Sequence, residues 1–271
     1  DLIVKLTNGK THLNIDGNTN SSRVFTEARG VELNTITGPH PAGNVGVQIH
    51  HIDPINKGDV IWYLNPQDVI VIARLFHEGK YDVSRIVALC GSQVEKPKYY
   101  RVLAGAQVSG LLNNNIKKGI NRVISGDVLT GTKITEDGYL GFYDTNITVI
   151  PEGDKSEFIG WLLPGLDKFS LSRTFFSWLT PSRKFNLNTN MHGEERAYVI
   201  TGTYEKVFPM NIYPMQLIKA IMMEDIEMME NLGIYEVSPE DFALCEFVCT
   251  SKIEVQNIIR EGLDLLRKEN S

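Results

Sequence analysis

The chain is poor in positive charge. Lysine and arginine total 27 against 33 aspartates and glutamates, a net charge of -6, with a pI near 5.6. Nucleic-acid surfaces neutralise phosphates with clustered lysine and arginine, and the densest basic spot here, Asn115-Ile116-Lys117-Lys118, is too short for one. Cysteine is scarce too: Cys90, Cys245 and Cys249 give an odd count that excludes a disulfide framework. With no charged-then-apolar leader after Asp1, they point to a reducing, cytoplasmic compartment. Long apolar runs are missing. The best, Val69 to Phe76, is broken by Arg74 and falls well short of the roughly 18 residues that span a bilayer, so any membrane association is expected to come through a partner. There is no Gly-x-Ser-x-Gly elbow, no His-Glu-x-x-His pair and no P-loop, which removes the usual footing of nucleophilic hydrolases, zinc proteases and nucleotide hydrolases. A self-contained enzyme is not expected. Repeats and low-complexity tracts are absent, and an opening Asp1 in place of Met suggests a trimmed fragment that starts within a domain.

What is present is enough apolar sequence, 42% of 271 residues, for two or three small cores. Short strands are expected at Leu2 to Leu6 and Thr11 to Ile15, separated by the polar stretch Asp16 to Ser22. Asn65-Pro66-Gln67-Asp68 supplies an N-cap, a proline at the first helical position and an acidic third residue. Val69, Ile70, Ile72, Ala73 and Phe76 follow, with Gly79 as a stop, and predict a buried helix. From Arg85 the period becomes strand-like. Ile86 to Cys90, Lys98 to Leu103, a helical turn at Val108 to Leu112 and Arg122 to Leu129 suit a β-grasp-like module. Tyr139 to Phe142, Asn146 to Ile150 and Glu157 to Leu162 read as an antiparallel meander. Helices close the chain: Pro214 to Asn231, then two cap signatures, Ser238-Pro239-Glu240-Asp241 and Ser251-Lys252-Ile253-Glu254, the second a full capping box.

Four stretches carry a resemblance. The run from Gly38 through Pro39, His40, Pro41, Gly43, Gly46, His50, His51 and Asp53 to Pro54 is long and unusual in composition. Together with Asn65 to Phe76, Arg122 to Gly131 and Phe242 to Cys249, it resembles the A-subunit family of sodium-translocating NADH:quinone oxidoreductases (NqrA), a likeness that is faintest before Thr37. The family is in turn similar to RnfC and to the flavoprotein subunit of complex I. The resemblance implies an α+β multidomain chain. Residues 1–82 would be the second half of a Rossmann-like α/β domain, 83–135 an SLBB (soluble-ligand-binding β-grasp) domain, 136–210 an antiparallel β-rich segment and 211–271 a C-terminal helical domain ending naturally at Ser271. It further implies a peripheral subunit on the cytoplasmic face of the bacterial inner membrane, docked on the membrane subunit NqrB. Such a subunit takes part in the quinone-reduction end of electron transfer from NADH to ubiquinone, coupled to sodium export, and is not catalytic alone.

On the same resemblance the chain holds no redox cofactor. Ubiquinone is a ligand candidate, while NADH, FAD, FMN, riboflavin and iron-sulfur centres reside in or act on other subunits. The residues agree on clusters: two thiolates, Cys245 and Cys249, fall short of the four a cluster or closed zinc site needs, and read as small buried side chains. Gly43-x-x-Gly46 lacks the full dinucleotide fingerprint. His50 and His51, taken as strand neighbours, would point to opposite faces and could not share a metal. His40, Gly43, His50 and Asp53 are the quinone-pocket candidates. Met215, Met222, Met223, Met228 and Met229 suit core packing first and a pliable contact surface second. Trp161 and Trp178 bracket an apolar stretch with Phe169, Leu171, Phe175 and Phe176 whose surface could meet another subunit. Asn146-Ile147-Thr148 matches a glycosylation acceptor by chance. Two alternatives stay open: a free-standing SLBB-type ligand-binding module, and an RnfC-like flavin or iron-sulfur electron carrier.

Overall fold

A computed structural model describes residues 2–7, 9–154, 157, 159–160 and 162–270. In chain order the elements are α1 (Leu2–Leu6), β1 (His12–Asp16), α2 (Arg23–Thr26), β2 (Glu32–Ile36), α3 (Val45–Ile52), α4 (Pro66–Glu78), β3 (Ser84–Cys90), β4 (Lys98–Leu103), α5 (Ser109–Leu112), β5 (Asn121–Ser125), β6 (Thr132–Ile134) and β7 (Asn146–Pro151). Then come α6 (Pro214–Met222), α7 (Ile226–Asn231), α8 (Ala243–Val248) and α9 (Val255–Glu269). The chain divides into two compact units, one built from residues 1–82 with 198–271 and the other from 83–197.

In the first unit β1 and β2 pair in parallel, His12 opposite Glu32 and Asp16 opposite Ile36. Leu2–Leu6, expected as a strand, is helical; four apolar residues with Lys5 among them are too few to separate the two by period, and leucine and lysine favour the helix. The signals around α4 are local and hold. Asn65 and Asp68 form a reciprocal capping box, Pro66 opens the helix and Gly79 closes it at φ 65°. Its expected burial does not hold, since no residue of α4 is buried and Ile70 and Phe76 are 52% and 61% exposed. Caps are set by neighbours in sequence, whereas burial depends on what packs across the helix.

The closing helices form this unit's core. Tyr204, Met215, Leu217, Ile218, Met229, Ile234, Phe242, Cys245, Ile259 and Leu266 cluster there, and Val47 of α3 joins them. The stripe Val255, Ile259, Gly262 and Leu266 turns one face of α9 inward. The helix expected over Pro214 to Asn231 is two, because Glu224 adopts φ 55° between α6 and α7 and Asp225 caps the second by accepting from Met228 N at 3.0 Å. The two cap signatures exchange roles. Ser238 and Asp241 make a reciprocal box, while Ser251 does not cap α9, since Lys252 sits at φ 54° and the helix begins only at Val255. Glu246 of α8 instead accepts from Gln256 N at 2.9 Å. Of the five methionines, Met215 and Met229 are buried, and Met222, Met223 and Met228 are exposed.

The second unit is a five-stranded sheet in the order β4-β3-β7-β5-β6, with β3 and β7 parallel and the other pairs antiparallel. Strand, strand, helical turn and strand follow one another as the sequence pattern predicts. Arg85, Val87 and Leu89 alternate inward along β3, and Val108, Leu112, Val123, Leu140, Ile147 and Val149 complete the core. β5 ends at Ser125, short of the expected Leu129, because Asp127 Oδ1 accepts from Leu129 N and Thr130 N and turns the chain. The expected meander is corrected. Over 136–210, β7 is the single strand among the described residues, inserted between β3 and β5. Tyr139 makes only an isolated bridge to Gln107, and Ile159-Gly160 forms a turn, while Phe158 and Trp161 of the third expected strand lie outside the described residues. Apolar residues in that stretch mimic strand patterning without the cross-strand partners that make one.

An ion network ties this sheet to the loop after it. Arg122 engages both oxygens of Glu152, Nε reaching Oε2 at 3.0 Å, Thr189 Oγ1 donates to Oε1 at 2.9 Å, and Lys133 Nζ lies 3.3 Å from Oε2. The Arg122 guanidinium chiefly, helped by Thr189 and Lys133, outweighs burial and holds the Glu152 carboxyl down to about 2 from its ordinary 4.5. A depressed carboxylate pKa stabilises the fold above the unfolded value and stops doing so as pH falls through the folded one, here between pH 4.5 and about 2. Glu152→Gln is therefore expected to cost about 1–2 kcal/mol at pH 7, after discounting for solvent screening. It should also flatten the loss of stability on acidification below pH 4.5. Urea midpoints of both proteins at neutral pH and in that acid window check this; parallel pH profiles would contradict it.

Candidate functional site

The stretch from Gly38 to Pro54 is built around α3. Pro39 and Pro41 keep the chain out of helix before Asn44, and Pro54 disfavours helix at Asp53, so α3 is confined to Val45–Ile52. Asn44 does not cap the helix with its side chain; its Nδ2 donates to Glu240 O at 3.2 Å. The group at the N-terminal turn is Asp241, which is 1% exposed. Ser238 N and Ser238 Oγ donate to Asp241 Oδ2 at 2.9 and 2.8 Å. Burial raises the Asp241 carboxyl from its ordinary value against the opposing pull of these donors.

Gly46 makes this approach feasible. A Cβ there would lie 2.2 Å from Asp241 Oδ2 and 2.8 Å from its Cγ. The glycine thus answers a side chain of the same protein. An anionic phosphate at this helix start would meet a carboxylate already lying against it, which argues against Gly43-x-x-Gly46 as a phosphate cradle.

Both histidines of α3 are committed. Asn211 N donates to His50 Nε2 at 2.9 Å, so the proton lies on Nδ1, which donates to Glu236 Oε2 at 2.7 Å. His51 Nε2 donates to Pro209 O at 2.8 Å. The two sit on a helix, not a strand, with ring centroids 5.2 Å apart, edge to face. On the loop side, Gln48 Nε2 donates to Ala42 O and Gly43 O at 3.3 Å while its Oε1 accepts from Asn14 Nδ2 at 2.8 Å. Asn14 Oδ1 in turn accepts from Asn34 Nδ2 at 2.9 Å. The segment therefore joins the β1–β2 pair to the closing helices, with Val47 as its apolar anchor.

The four candidates do not converge. His40 and Gly43 are exposed before α3, Asp53 is exposed beyond it, and His50 is turned to Glu236. The eight residues of α3 put about 12 Å between its ends. Asp241, Glu236 and Gln48, which organise the segment, are not among the sequence candidates. Asp241 was visible only as a cap, and its separation from Gly46 in sequence leaves no local signal.

The thiols are also accounted for by packing. Cys245 and Cys249 are buried in the helical core, Tyr204 Oη donates to Cys249 Sγ at 2.9 Å, and burial pushes the Cys245 thiol well above its ordinary value, so the protonated form is favoured. Cys90 lies on β3 in the other unit. Among the described residues no three His, Cys, Asp or Glu side chains gather as metal ligands, and no helix is long and apolar enough to cross a membrane. The second unit has an open concavity of about 570 Å³ beside α5, lined by Ser109, Leu112, Asn113, Ile116, Glu136 and Asp137 among others.

Comparison with known proteins adds two family models: "NqrA second alpha/beta domain" matches residues 1–81, and "NQRA C-terminal domain" matches 86–136. Three relatives, each bearing the name of the A subunit of a Na(+)-translocating NADH-quinone reductase, are similar along almost all of the chain. The protein from Rhodopirellula baltica is 40% identical over 98% of this chain and 59% of its own length. That from Pasteurella multocida is 42% identical over 92% and 56%, and that from Yersinia pseudotuberculosis 39% over 99% and 60%. The chain thus spans less than two thirds of the length of these relatives.

Proposed function

Since the chain belongs to the family of A subunits of the Na(+)-translocating NADH-quinone reductase, we propose that it serves the quinone-reduction end of such an assembly without a redox cofactor of its own. In this reading electrons pass from NADH to ubiquinone through flavin and iron-sulfur centres of other subunits, coupled to sodium export. This chain sits at the cytoplasmic face of the membrane against the membrane-embedded subunit NqrB. The identity running through both matched domains and on into the closing helices carries the reading. A free-standing SLBB module would have no reason to share the flanking segments.

What supports the cofactor-free part is the use to which the polar and thiol groups are put. Two thiols are core residues, the third belongs to another unit, and the helix start that could greet a phosphate faces Asp241. Of the quinone-pocket candidates, exposed His40 and Asp53 are the ones whose side chains are not drawn into the α3 joint by a hydrogen bond described above.

The test is a titration of the full-length subunit with a short-chain ubiquinone analogue, the visible spectrum being recorded first. Saturable binding to a protein lacking flavin and iron-sulfur absorption is expected. No saturable binding, together with normal quinone reduction by a complex lacking the subunit, overturns the quinone role; a stoichiometric chromophore overturns the cofactor-free one.

A further inference from the structure

A surface groove between α6 and α9 is not used by anything described so far. It has a volume of about 420 Å³. Its floor is apolar, with Ile221 and Met222 from α6 and Ile258 and Leu265 from α9. The two helices approach closely because Gly262 faces Ile221, where a Cβ would come within 2.9 Å of the isoleucine side chain. Glu224, Glu261 and Asp264 stand exposed along the groove, with Lys268 at its end. Met222 and Met223 beside it are 51% and 73% exposed.

From this pairing of an apolar floor with an acidic rim we infer that the groove is a docking site for a basic amphipathic helix supplied by a partner polypeptide. The inference rests on the reading of the chain as one component of a larger assembly, but not on quinone binding. The groove follows α9 from Ile258 to Lys268, about 15 Å at the helical rise, which accommodates roughly ten to twelve residues of partner helix. A helix presenting leucine-like residues on one face and lysine or arginine beside them would bury the first on Ile258 and Leu265 and set the second against Glu261 and Asp264. The exposed methionines suit this, because unbranched thioethers adapt to the shape of an incoming apolar face.

Charge argues against the other occupants. Anionic lipid headgroups would meet the acidic rim with the wrong sign. A second copy of this chain brings net charge -6, and the basic pair on its own helix α9, Arg267-Lys268, shares that helix with Glu261, Asp264 and Glu269, so it offers no uniformly basic face to the rim.

The test uses the whole chain and a designed probe, a fluorescent twelve-residue leucine-lysine amphipathic peptide, alongside the same peptide with glutamate for lysine. Saturable binding of the basic peptide is expected. It should weaken about tenfold or more in the Glu261→Lys/Asp264→Lys variant and on raising salt to about 0.5 M, with the acidic peptide failing to bind. Circular dichroism and thermal melting confirm that the variant is folded, and Leu265→Gln, which keeps the rim and alters the floor, gives a second reading. No binding of the basic peptide, or equal binding by wild type and both variants, would overturn the proposal. So would a concentration-dependent dimer that the rim variant abolishes, or binding to anionic phosphatidylglycerol vesicles in preference to the peptide. The peptide reads the groove alone, so failure of the quinone titration leaves this result intact, and the reverse also holds.

Discussion

Gly91→Ala is expected to cost about 4 kcal/mol or more and to lower the melting temperature of the unit of 83–197 by roughly 15 °C or more. Two effects act together. Gly91 ends β3 at φ 111°, a conformation that side chains with a Cβ rarely adopt, and a Cβ there would lie 2.1 Å from Val149 O and 2.6 Å from Val149 N. These are backbone atoms of β7, the strand between β3 and β5, so no rotamer change relieves the contact. The sheet must separate at its parallel pair, where Ala88, Leu89 and Cys90 face Asn146, Ile147 and Thr148. Hydrogen exchange gives the direct readout. Amides of residues 84–90 and 146–150 should lose protection in the variant, and native protection in both strands would contradict the account.

How much of this could be read beforehand depended on range. The capping box of α4 was legible because Asn65, Pro66 and Asp68 act on each other within one turn. The β3, β4, α5 and β5 succession was legible because burial alternates along β3 and β4 and β5 is a short run with β-branched Val123 and Ile124 at its centre. The strand β7 was found from its own residues, but not its place in the middle of the sheet, which is decided by pairings some sixty residues away in β3. The Ser251 capping box failed for a local reason that composition does not show, a positive φ at Lys252. At the candidate site the segment around α3 stood out by its unusual residues. Gly46, Asn44, His50 and His51 are nevertheless explained by Asp241, Glu240, Glu236, Pro209 and Asn211, all far along the chain. A segment can thus be distinctive because it fits its own protein, and its residue types alone do not separate that from fitting a ligand.

Gly46→Ala carries the second large effect. Alanine in the first turn of a helix would ordinarily stabilise it by up to about 1 kcal/mol. Here the added methyl would overlap the Asp241 carboxylate, which is buried and pinned by two donors from Ser238. Either the carboxylate rotates, leaving Ser238 N–H and hydroxyl without it, or α3 lifts and withdraws Val47 from the core. A net loss of about 2–3 kcal/mol is expected. Asp241→Ala alone should cost about 1–3 kcal/mol, through the lost cap and the space left behind.

The account stands on the family's distinctive segment being a joint of the fold, and the most direct measurement of that is the double-mutant cycle on Gly46 and Asp241. If the joint is as described, Gly46→Ala becomes neutral or stabilising once Asp241 is alanine, giving a coupling of about 2 kcal/mol between the two sites in urea denaturation. Additive losses, with no coupling beyond about 0.5 kcal/mol, would contradict the account and return Gly46 to the set of residues reserved for a ligand.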